Sequence, residues 1–430
     1  MRLILFDRLN DSRSQFYPIA LSRPIWELRC GITSLAEKLI AKTGARDIAC
    51  FVPPYLADVY REQSQWSIND PASLTGDDLL LVNPRVIAEE FDIEPCGSAV
   101  VSFNDSGDCL FVRIPEQKLA HLVTDSIDGL IESCQKTLPA AEHNPATWNY
   151  TWELVLANAG QLTKDFAAAG KSGIESNTVE QPFVIRGSQD DVYIAPGVCI
   201  HPMVVIDAEH GPVFIDEGAE IHPFSRIEGP CYIGKKSILL GAKCREGNSI
   251  GPLCRIGGEV EESIIQGHSN KYHDGFLGHA YVGEWVNLGA LTTNSDLKND
   301  YSNVSVTLDG RSPIDTGSTK VGALIGDHTK TSIGTLFNTG AYVGAMAVIV
   351  ATGKPLPKFI PSFAWFLEGV VTKGFGKRKL YETAATVMSR RGREWSAAQV
   401  SMWDEIFKMT APPRQEVLKQ GRRTLRAQYA

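Results

Sequence analysis

The chain has 430 residues, of which 43% are hydrophobic and 21% charged, and its net charge is −8. This hydrophobic share excludes a disordered chain, and the length is enough for about two or three globular domains. Apolar runs are shorter than the roughly 20 residues that a membrane-spanning helix needs, and acidic residues follow the short apolar N-terminus too soon for a signal peptide.

The cysteines and the distribution of charge exclude further classes of protein. Nine cysteines are scattered without a Cys-x-x-Cys pair, which argues against a disulfide framework or a zinc ribbon and predicts a cytoplasmic protein. Residues 361–430 carry 13 Lys or Arg against 6 Asp or Glu, so the rest of the chain carries −15. An acidic body argues against nucleic-acid binding, whereas the basic end could contact phosphate groups.

Strand and helix patterns alternate over residues 1–180, which predicts an α/β layered domain. The strand candidates are RLILF (2–6), DIACFV (47–52), DLLLV (78–82), SAVVSF (98–103) and CLFVRI (109–114). The helix candidates cover residues 32–42, 119–134 and 151–166, and small and polar residues over 167–182 predict a linker.

A hexapeptide period runs from about residue 192 to residue 352, within a predicted domain of residues 181–353. Apolar residues recur every six positions, as in Ile215, Ile221, Ile227 and Ile233, and glycine often follows them. This period fits neither a helix nor a long strand, but it fits a parallel β-helix with one short strand and one inward side chain per six residues. Residues 354–430 then show helical spacing and form a C-terminal helical extension.

A polar stretch of nearly thirty residues, from Thr292 to about Lys320, interrupts the period and predicts a functional insertion. Just before it lie His268, His273 and His279. Positions 273 and 279 fall on adjacent sides of a coil, and no other donor completes a ligand set, so we expect no metal here. A general base fits His273, whereas hydrogen bonding to a turn remains an alternative, mainly for His268 and His279.

The stretch NKYHDGFLGHAYVGEWVNLGALTTN resembles the acetyltransferase half of bifunctional UDP-N-acetylglucosamine pyrophosphorylase/glucosamine-1-phosphate N-acetyltransferase. The resemblance implies a left-handed β-helix that acts as a homotrimer, with acetyl-CoA in the groove between prisms. It implies that His273 is the catalytic base and that Arg245, Asn287 and Asn294 bind the sugar phosphate. Candidates for the CoA phosphates are Lys354, Lys358, Lys373, Lys377 and Arg378.

Two departures from the family pattern concern the acceptor. Phe276 stands where the family has a tyrosine, and Glu261-Glu262 replaces a phosphate-binding lysine. Because this charge reversal repels a sugar phosphate, acyl transfer is better indicated than the identity of its acceptor.

YPIALSRPIWELRCG (17–31) resembles a segment of sugar nucleotidyltransferases, and more closely a divergent bacterial branch of the bifunctional enzymes. The family's glycine-rich phosphate loop is replaced by FDRLNDSRS (6–14), and Arg85 stands in place of the metal-binding aspartate. Arg13, Arg23 and Arg85 are the candidates at this nucleotidyl site. The departures favour a degenerate domain, while activity on UTP or dTTP with Mg²⁺ remains open.

Three functions follow from these patterns. The first is an acetyl-CoA-dependent N-acetyltransferase of an amino-sugar phosphate, in a bifunctional-type chain. The second is a sugar-1-phosphate nucleotidyltransferase whose β-helix serves assembly. The third is a non-catalytic trimeric scaffold.

Overall fold

The computed structural model describes residues 1–428, with side chains as far as residue 424. Its contacts define two compact units. The first comprises residues 1–16, 22–28 and 33–149, and the second comprises residues 17–21, 29–32 and the chain from Tyr150 onward. The predicted domain boundaries at residues 180 and 353 stay a prediction.

The first unit is built on a six-stranded sheet in the order β3-β2-β1-β4-β6-β5. Its strands are Arg2–Phe6 (β1), Asp47–Phe51 (β2), Ser67–Ile68 (β3), Leu79–Val82 (β4), Val100–Phe103 (β5) and Cys109–Ile114 (β6). Its helices are Asp11–Ser14 (α1), Leu35–Thr43 (α2), Ala57–Gln63 (α3), Glu116–Leu119 (α4) and Ile127–Thr137 (α5). The α/β domain predicted from the sequence is confirmed.

Strands β1 to β4 run parallel, and β6 joins β4 in antiparallel pairing. Every residue of β4 is buried, which explains its uninterrupted apolar sequence. Helix α2 begins with a capping box, in which Ser34 and Glu37 satisfy each other's backbone N–H groups. Because β1 and β4 are parallel neighbours, their carboxyl ends meet at one edge of the sheet, where loops 7–10 and 83–85 begin.

The second unit opens with helix α6 (Thr151–Ala169), after which the coils begin. The strands over the first coils are Gly173–Ile174 (β7), Thr178–Val179 (β8), Phe183–Arg186 (β9), Val192–Ile194 (β10), Cys199–Ile200 (β11), Val204–Asp207 (β12), Val213–Ile215 (β13), Glu220–Ile221 (β14), Arg226–Glu228 (β15), Cys231–Ile233 (β16), Ile238–Cys244 (β17), Asn248–Ile250 (β18) and Arg255–Glu261 (β19). They continue with Ile264–Gly267 (β20), Asn270–Lys271 (β21), Phe276–Gly278 (β22), Tyr281–Glu284 (β23), Thr293–Asn294 (β24), Ser305–Thr307 (β25), Pro313–Asp315 (β26), Leu324–Ile325 (β27), Lys330–Thr331 (β28), Leu336–Phe337 (β29), Tyr342–Val343 (β30), Val348–Ile349 (β31), Phe359–Ile360 (β32), Trp365–Leu367 (β33) and Val370–Thr372 (β34).

The parallel register of these strands confirms the predicted β-helix. Ile194 pairs with Ile215, Ile215 with Ile233, and Ile233 with Ile250, so the inward side chains stack in a column that solvent does not reach. The predicted linker over 167–182 is wrong, because β7 pairs with β10 and β8 with β11. These short strands form the first rungs of the ladder.

Two N-terminal segments belong to this second unit. The backbone N–H of Arg29 donates to Tyr281 Oη at 2.8 Å, and that hydroxyl donates in turn to the Arg29 carbonyl at 3.0 Å. The Gly31 N–H donates to buried Asn158, whose amide also donates to the Gly247 carbonyl. Gly31 has a φ of +84°, and a Cβ there would lie 2.4 Å from Asp165, so only glycine fits.

The insertion after β24 is folded rather than loose. Strands β25 and β26 form an antiparallel hairpin, and the side chains of Val304 and Val306 are buried. Helices α7 (Lys377–Ser389), α8 (Ala397–Met409) and α9 (Ala411–Gln428) follow the coils. Over the described residues, we find no helix that combines the length and the apolar character needed to cross a membrane.

Candidate functional site

A pocket in the first unit lies at the carboxyl ends of β1 and β4. In open parallel sheets this edge is the usual place for ligands. Loop residues after both strands line it, together with the start of β6. The lining residues are Phe6, Asp7, Arg8, Asn10, Arg13, Ile25, Asn83, Pro84, Arg85, Asp108 and Cys109.

Arg13 is paired inside this pocket with Asp7, and both side chains are only 1% exposed. The Ile25 N–H also donates to Asp7, at 3.0 Å, and Arg13 donates to the Arg23 carbonyl at 3.1 Å. The structure thus brings the predicted residues Arg13 and Arg23 together. The guanidinium of Arg13, however, neutralises a buried carboxylate.

Arg85 is paired with Asp108, whose Oδ2 lies 2.6 Å from the guanidinium. Asp108 also accepts from the side chains of Asn10 at 2.9 Å and Ser12 at 2.5 Å. The loop that replaces the glycine-rich segment is therefore anchored to β6 through one carboxylate. A nucleotide phosphate would have to displace Asp108 in order to reach Arg85.

These pairings do not fit a magnesium site. Mg²⁺ requires carboxylate and water oxygens in near-octahedral geometry. In this pocket Asp7 and Asp108 are each bound by an arginine and by further N–H or O–H donors. The carboxylates among the lining residues are those of Asp7 and Asp108, and neither stands at the position after β4 that Arg85 occupies.

The second candidate site is a corner of the β-helix that contains His273, between β21 and β22. Its imidazole is exposed, and the ring of Tyr272 lies 5.8 Å away, centroid to centroid. The next coil stacks on this corner, because the Leu291 N–H donates to the Asp274 carbonyl at 2.7 Å. His273 thus lies beside the coil from which the insertion departs.

Lys271 fixes the backbone of this corner from inside. Its buried ammonium donates to the carbonyls of Gly257 and His273, each at 2.8 Å. Burial lowers the pKa of Lys271 to about 8, while Asp274 acts in the opposite direction. Gly258, with φ +66°, leaves room for this amine, since a Cβ there would lie 2.7 Å from Nζ.

The two predicted asparagines occupy different surroundings. Asn287 is exposed, and its Oδ1 accepts from Asn270 Nδ2 at 3.1 Å. Asn294 is buried and binds both backbone groups of Gly278, accepting from its N–H and donating to its carbonyl at 2.8 Å each. Asn287 is therefore accessible to an acceptor, whereas the Asn294 amide joins two coils.

Arg245 lies at another corner and contacts carboxylates. Its Nη1 is 2.8 Å from Glu261, and Glu259 and Glu246 each lie 3.9 Å from its guanidinium. Lys320, at the end of the insertion, lies 3.6 Å from Glu261. A sugar phosphate at Arg245 would therefore compete with a nearly buried carboxylate.

His279 is buried between Glu262, at 2.6 Å, and Asp296, at 2.8 Å. Burial lowers the pKa of His279, but hydrogen bonds to Asp296 and Glu262 outweigh burial and raise it to about 9. His279 is therefore an imidazolium that links Glu262 to Asp296 of the insertion. His268 stacks on Trp285 instead, with ring centroids 4.3 Å apart.

The five basic candidates for CoA binding fall into two groups. Lys354 and Lys373 are exposed, and Arg378 is 93% exposed beside Glu382. Lys358 donates to the Ser305 carbonyl at 3.3 Å, and Lys377 lies 2.6 Å from Asp404. The first group is thus more accessible to a ligand phosphate than the second.

Comparison with known proteins bears on both units. Residues 3–172 match the family described as sugar nucleotidyl transferase. The resemblance inferred from the sequence is thereby confirmed for the N-terminal part. The chain is also 38% identical over 151 residues to a bifunctional sugar-1-phosphate nucleotidylyltransferase/acetyltransferase of Sulfurisphaera tokodaii, covering 32% of this chain and 35% of that protein.

A bifunctional protein GlmU of Jannaschia sp. (strain CCS1) is 33% identical over 149 residues, which is 34% of this chain and 31% of that protein. These matches cover about a third of the length of the curated relatives. Among solved structures, the UDP-N-acetylglucosamine acyltransferase of Francisella novicida is similar with a TM-score of 0.30 and 15% identity, over 57% of this chain and 89% of that one.

Sequence reasoning missed three residues that shape the two sites. Asp7 and Asp108 flank buried strands at the sheet edge, so their position after β1 and before β6 could have indicated them. Lys271 precedes His273 by two positions, but only the folded coil shows that its amine is buried against the His273 carbonyl.

Proposed function

We propose that the chain is an acetyl-CoA-dependent N-acetyltransferase that acts on an amino-sugar phosphate. The observation that carries this proposal is the exposed imidazole of His273 on a corner whose backbone carbonyl accepts a hydrogen bond from buried Lys271. The names of the relatives, which combine nucleotidylyltransferase with acetyltransferase, support it.

In this proposal His273 takes a proton from the acceptor amine as nitrogen attacks the thioester carbonyl carbon of acetyl-CoA. Backbone N–H groups of the adjacent coil stabilise the oxyanion, which collapses to the amide and expels the CoA thiolate. Asn287 orients the acceptor, while Asn294 holds the neighbouring strand in place. Arg245 binds the phosphate of the acceptor, which would displace Glu261 from the guanidinium.

The test is acetyl transfer from radiolabelled acetyl-CoA to a panel of amino-sugar phosphates, with wild type and H273A. We expect H273A to lose about 10²- to 10⁴-fold in rate, the usual contribution of a general base. His210→Ala is the matched control, because His210 is an exposed histidine elsewhere on the coils. Wild-type activity in folded H273A would refute the assignment.

Two other functions stay open to experiment. The family match over residues 3–172 favours a sugar-1-phosphate nucleotidyltransferase with a structural β-helix. Mg²⁺-dependent pyrophosphate release from UTP or dTTP with a sugar-1-phosphate would establish it. The paired state of Arg245 favours a non-catalytic trimeric scaffold. That function predicts no heat of acetyl-CoA binding in calorimetry.

We further propose a cytoplasmic homotrimer. Apolar side chains on several coils are exposed and suit a contact with a second copy of the chain. They are Met203, Phe224, Leu240, Leu291 and Ile333. The cytoplasm is proposed because the nine cysteines are scattered and contain no Cys-x-x-Cys pair. Light scattering of the purified protein would measure the mass, and a monomer at micromolar concentration would contradict the trimer.

A further inference from the structure

Three successive rungs of the β-helix place metal-binding side chains on one outer face. Strands β8, β11 and β14 are in parallel register, with Val179, Ile200 and Ile221 in line and pointing inward. Side chains alternate along a strand, so the residues on either side of each inward residue point outward. These outward pairs are Thr178 and Glu180, Cys199 and His201, and Glu220 and His222.

The register brings the donor atoms of these rungs close together. His201 Nε2 lies 3.1 Å from Glu220 Oε1, and His222 Nε2 lies 3.3 Å from the same oxygen. The two imidazole rings are stacked, with centroids 4.9 Å apart and planes at 27°. One nitrogen from each histidine and one carboxylate oxygen lie within 4.8 Å of one another.

The two nitrogen–oxygen separations, 3.1 and 3.3 Å, lie just below or at those expected around a tetrahedral zinc ion. With Zn–N and Zn–O bonds of about 2.0–2.2 Å, two ligand atoms of a tetrahedral site lie about 3.3–3.6 Å apart. His201 and His222 are half-buried, so solvent can reach the remaining position of the polyhedron. Strand register fixes all three ligands, because they stand on rungs about 4.8 Å apart.

The surroundings also suit a cation. Glu180 Oε1 lies 3.8 Å from His201 Nδ1, on the side of the ring away from Glu220. This distance is too long for a hydrogen bond, so Glu180 adds negative charge beside the imidazole without fixing its tautomer. The ion pairs of Glu220 in the described chain are those with the two histidines.

We propose that His201, Glu220 and His222 form a site for one divalent transition-metal ion of the zinc class, with water completing the coordination. The ion cross-links the second and third of these rungs. The site is separate from the corner that carries His273 and from the pocket in the first unit.

A second combination, Glu180 with Cys199 and His201, uses the same histidine, so it competes with the proposed set. Its donor atoms are farther apart, because Glu180 Oε1 lies 3.8 Å from His201 Nδ1 and Cys199 Sγ lies 3.8 Å from His201 Nε2. The wider spacing makes this set the weaker of the two.

The test is a titration of chelator-stripped full-length protein with Zn²⁺ alone, in competition with a chromophoric chelator. We expect one equivalent to bind wild type, and both H222A and E220Q to weaken binding by more than about 100-fold, beyond the usual loss of an outer-shell partner. H210A and C199S should bind as wild type does.

Circular dichroism of the metal-free variants checks that each is folded. Binding by H222A and E220Q that equals wild type would overturn the proposal. A loss of binding in C199S, with a thiolate-to-metal charge-transfer band when Co²⁺ replaces Zn²⁺ in wild type, would overturn the ligand set in favour of the cysteine combination. None of these readouts depends on acetyl transfer.

Discussion

Replacing the buried imidazolium of His279 by a neutral amide should destabilise the fold in a way that depends on pH. In His279→Gln the carboxylates of Glu262 and Asp296 lose the cation between them. Protonated His279 stabilises the folded chain fully below its unfolded pKa of 6.5, and this stabilisation is lost as pH rises through about 9. The variant should therefore differ from wild type more at pH 7 than at pH 10.

The size of the effect follows from linkage. With an ordinary pKa of 6.5 and a folded pKa of about 9, protonation contributes on the order of 3 kcal/mol at pH 7 and almost nothing at pH 10. The difference in unfolding free energy between wild type and H279Q should thus shrink by roughly 2–3 kcal/mol from pH 7 to pH 10.

The pH dependence of wild-type stability alone does not reveal the contribution of His279, because Lys330 acts in the opposite direction. Burial lowers the pKa of Lys330 to about 7, so the unfolded chain binds more protons above that pH and stability rises. Since Lys330 is present in both proteins, subtracting the H279Q curve from that of wild type removes its contribution.

Urea unfolding at pH 7, 8 and 10 would measure the difference, and hydrogen exchange of peptides over residues 276–296 would localise it. His210→Gln provides the control, since an exposed histidine should change nothing at any pH. A wild-type minus H279Q difference that stays constant from pH 7 to pH 10 would refute a charged His279.

Two further substitutions test the buried polar contacts of each unit. Asp108→Asn should lower the unfolding free energy of the first unit by roughly 2–4 kcal/mol, because Arg85 is only 4% exposed and loses the carboxylate with which it is paired. An unchanged urea midpoint would contradict that pairing. Asn158→Ala should cost about 3 kcal/mol in the second unit, because the Gly31 N–H and the Gly247 carbonyl lose their buried partner. Exposed Asn177→Ala should stay within about 0.5 kcal/mol of wild type, and equal effects of the two alanine variants would disprove the role of Asn158.

Much of the architecture could be predicted because it repeats locally. The six-residue period places one apolar side chain per strand, and Ile194, Ile215 and Ile233 are fully buried where the period puts them. The sheet strands were equally readable, since β1 and β6 have the bounds that their apolar runs indicate. The first rungs were missed because Ser176 and Asn177 resemble a linker, and only pairing with β10 and β11 orders them.

The sites could be predicted less well, because they depend on partners that are distant in sequence. The sequence shows that Arg85 replaces an aspartate, but not that Asp108 faces it from another strand. Similarly, the sequence shows that Glu261-Glu262 replaces a lysine. It does not show that Glu261 pairs with Arg245 while Glu262 pairs with His279. The stacked histidines 201 and 222 come together only through the parallel register, which spacing alone does not reveal.

The early segments that complete the second unit have a consequence for how the chain is made. Arg29 and Tyr281 are 252 residues apart. During synthesis from the N-terminus, the strip of residues 17–32 is therefore made long before Tyr281. Contacts of such long range form late and slow folding. A fragment beginning at Tyr150 would lack the strip and leave Asn158 and Tyr281 without these partners. The coils are therefore not a detachable module, and genetic truncation or fusion should preserve residues 17–32.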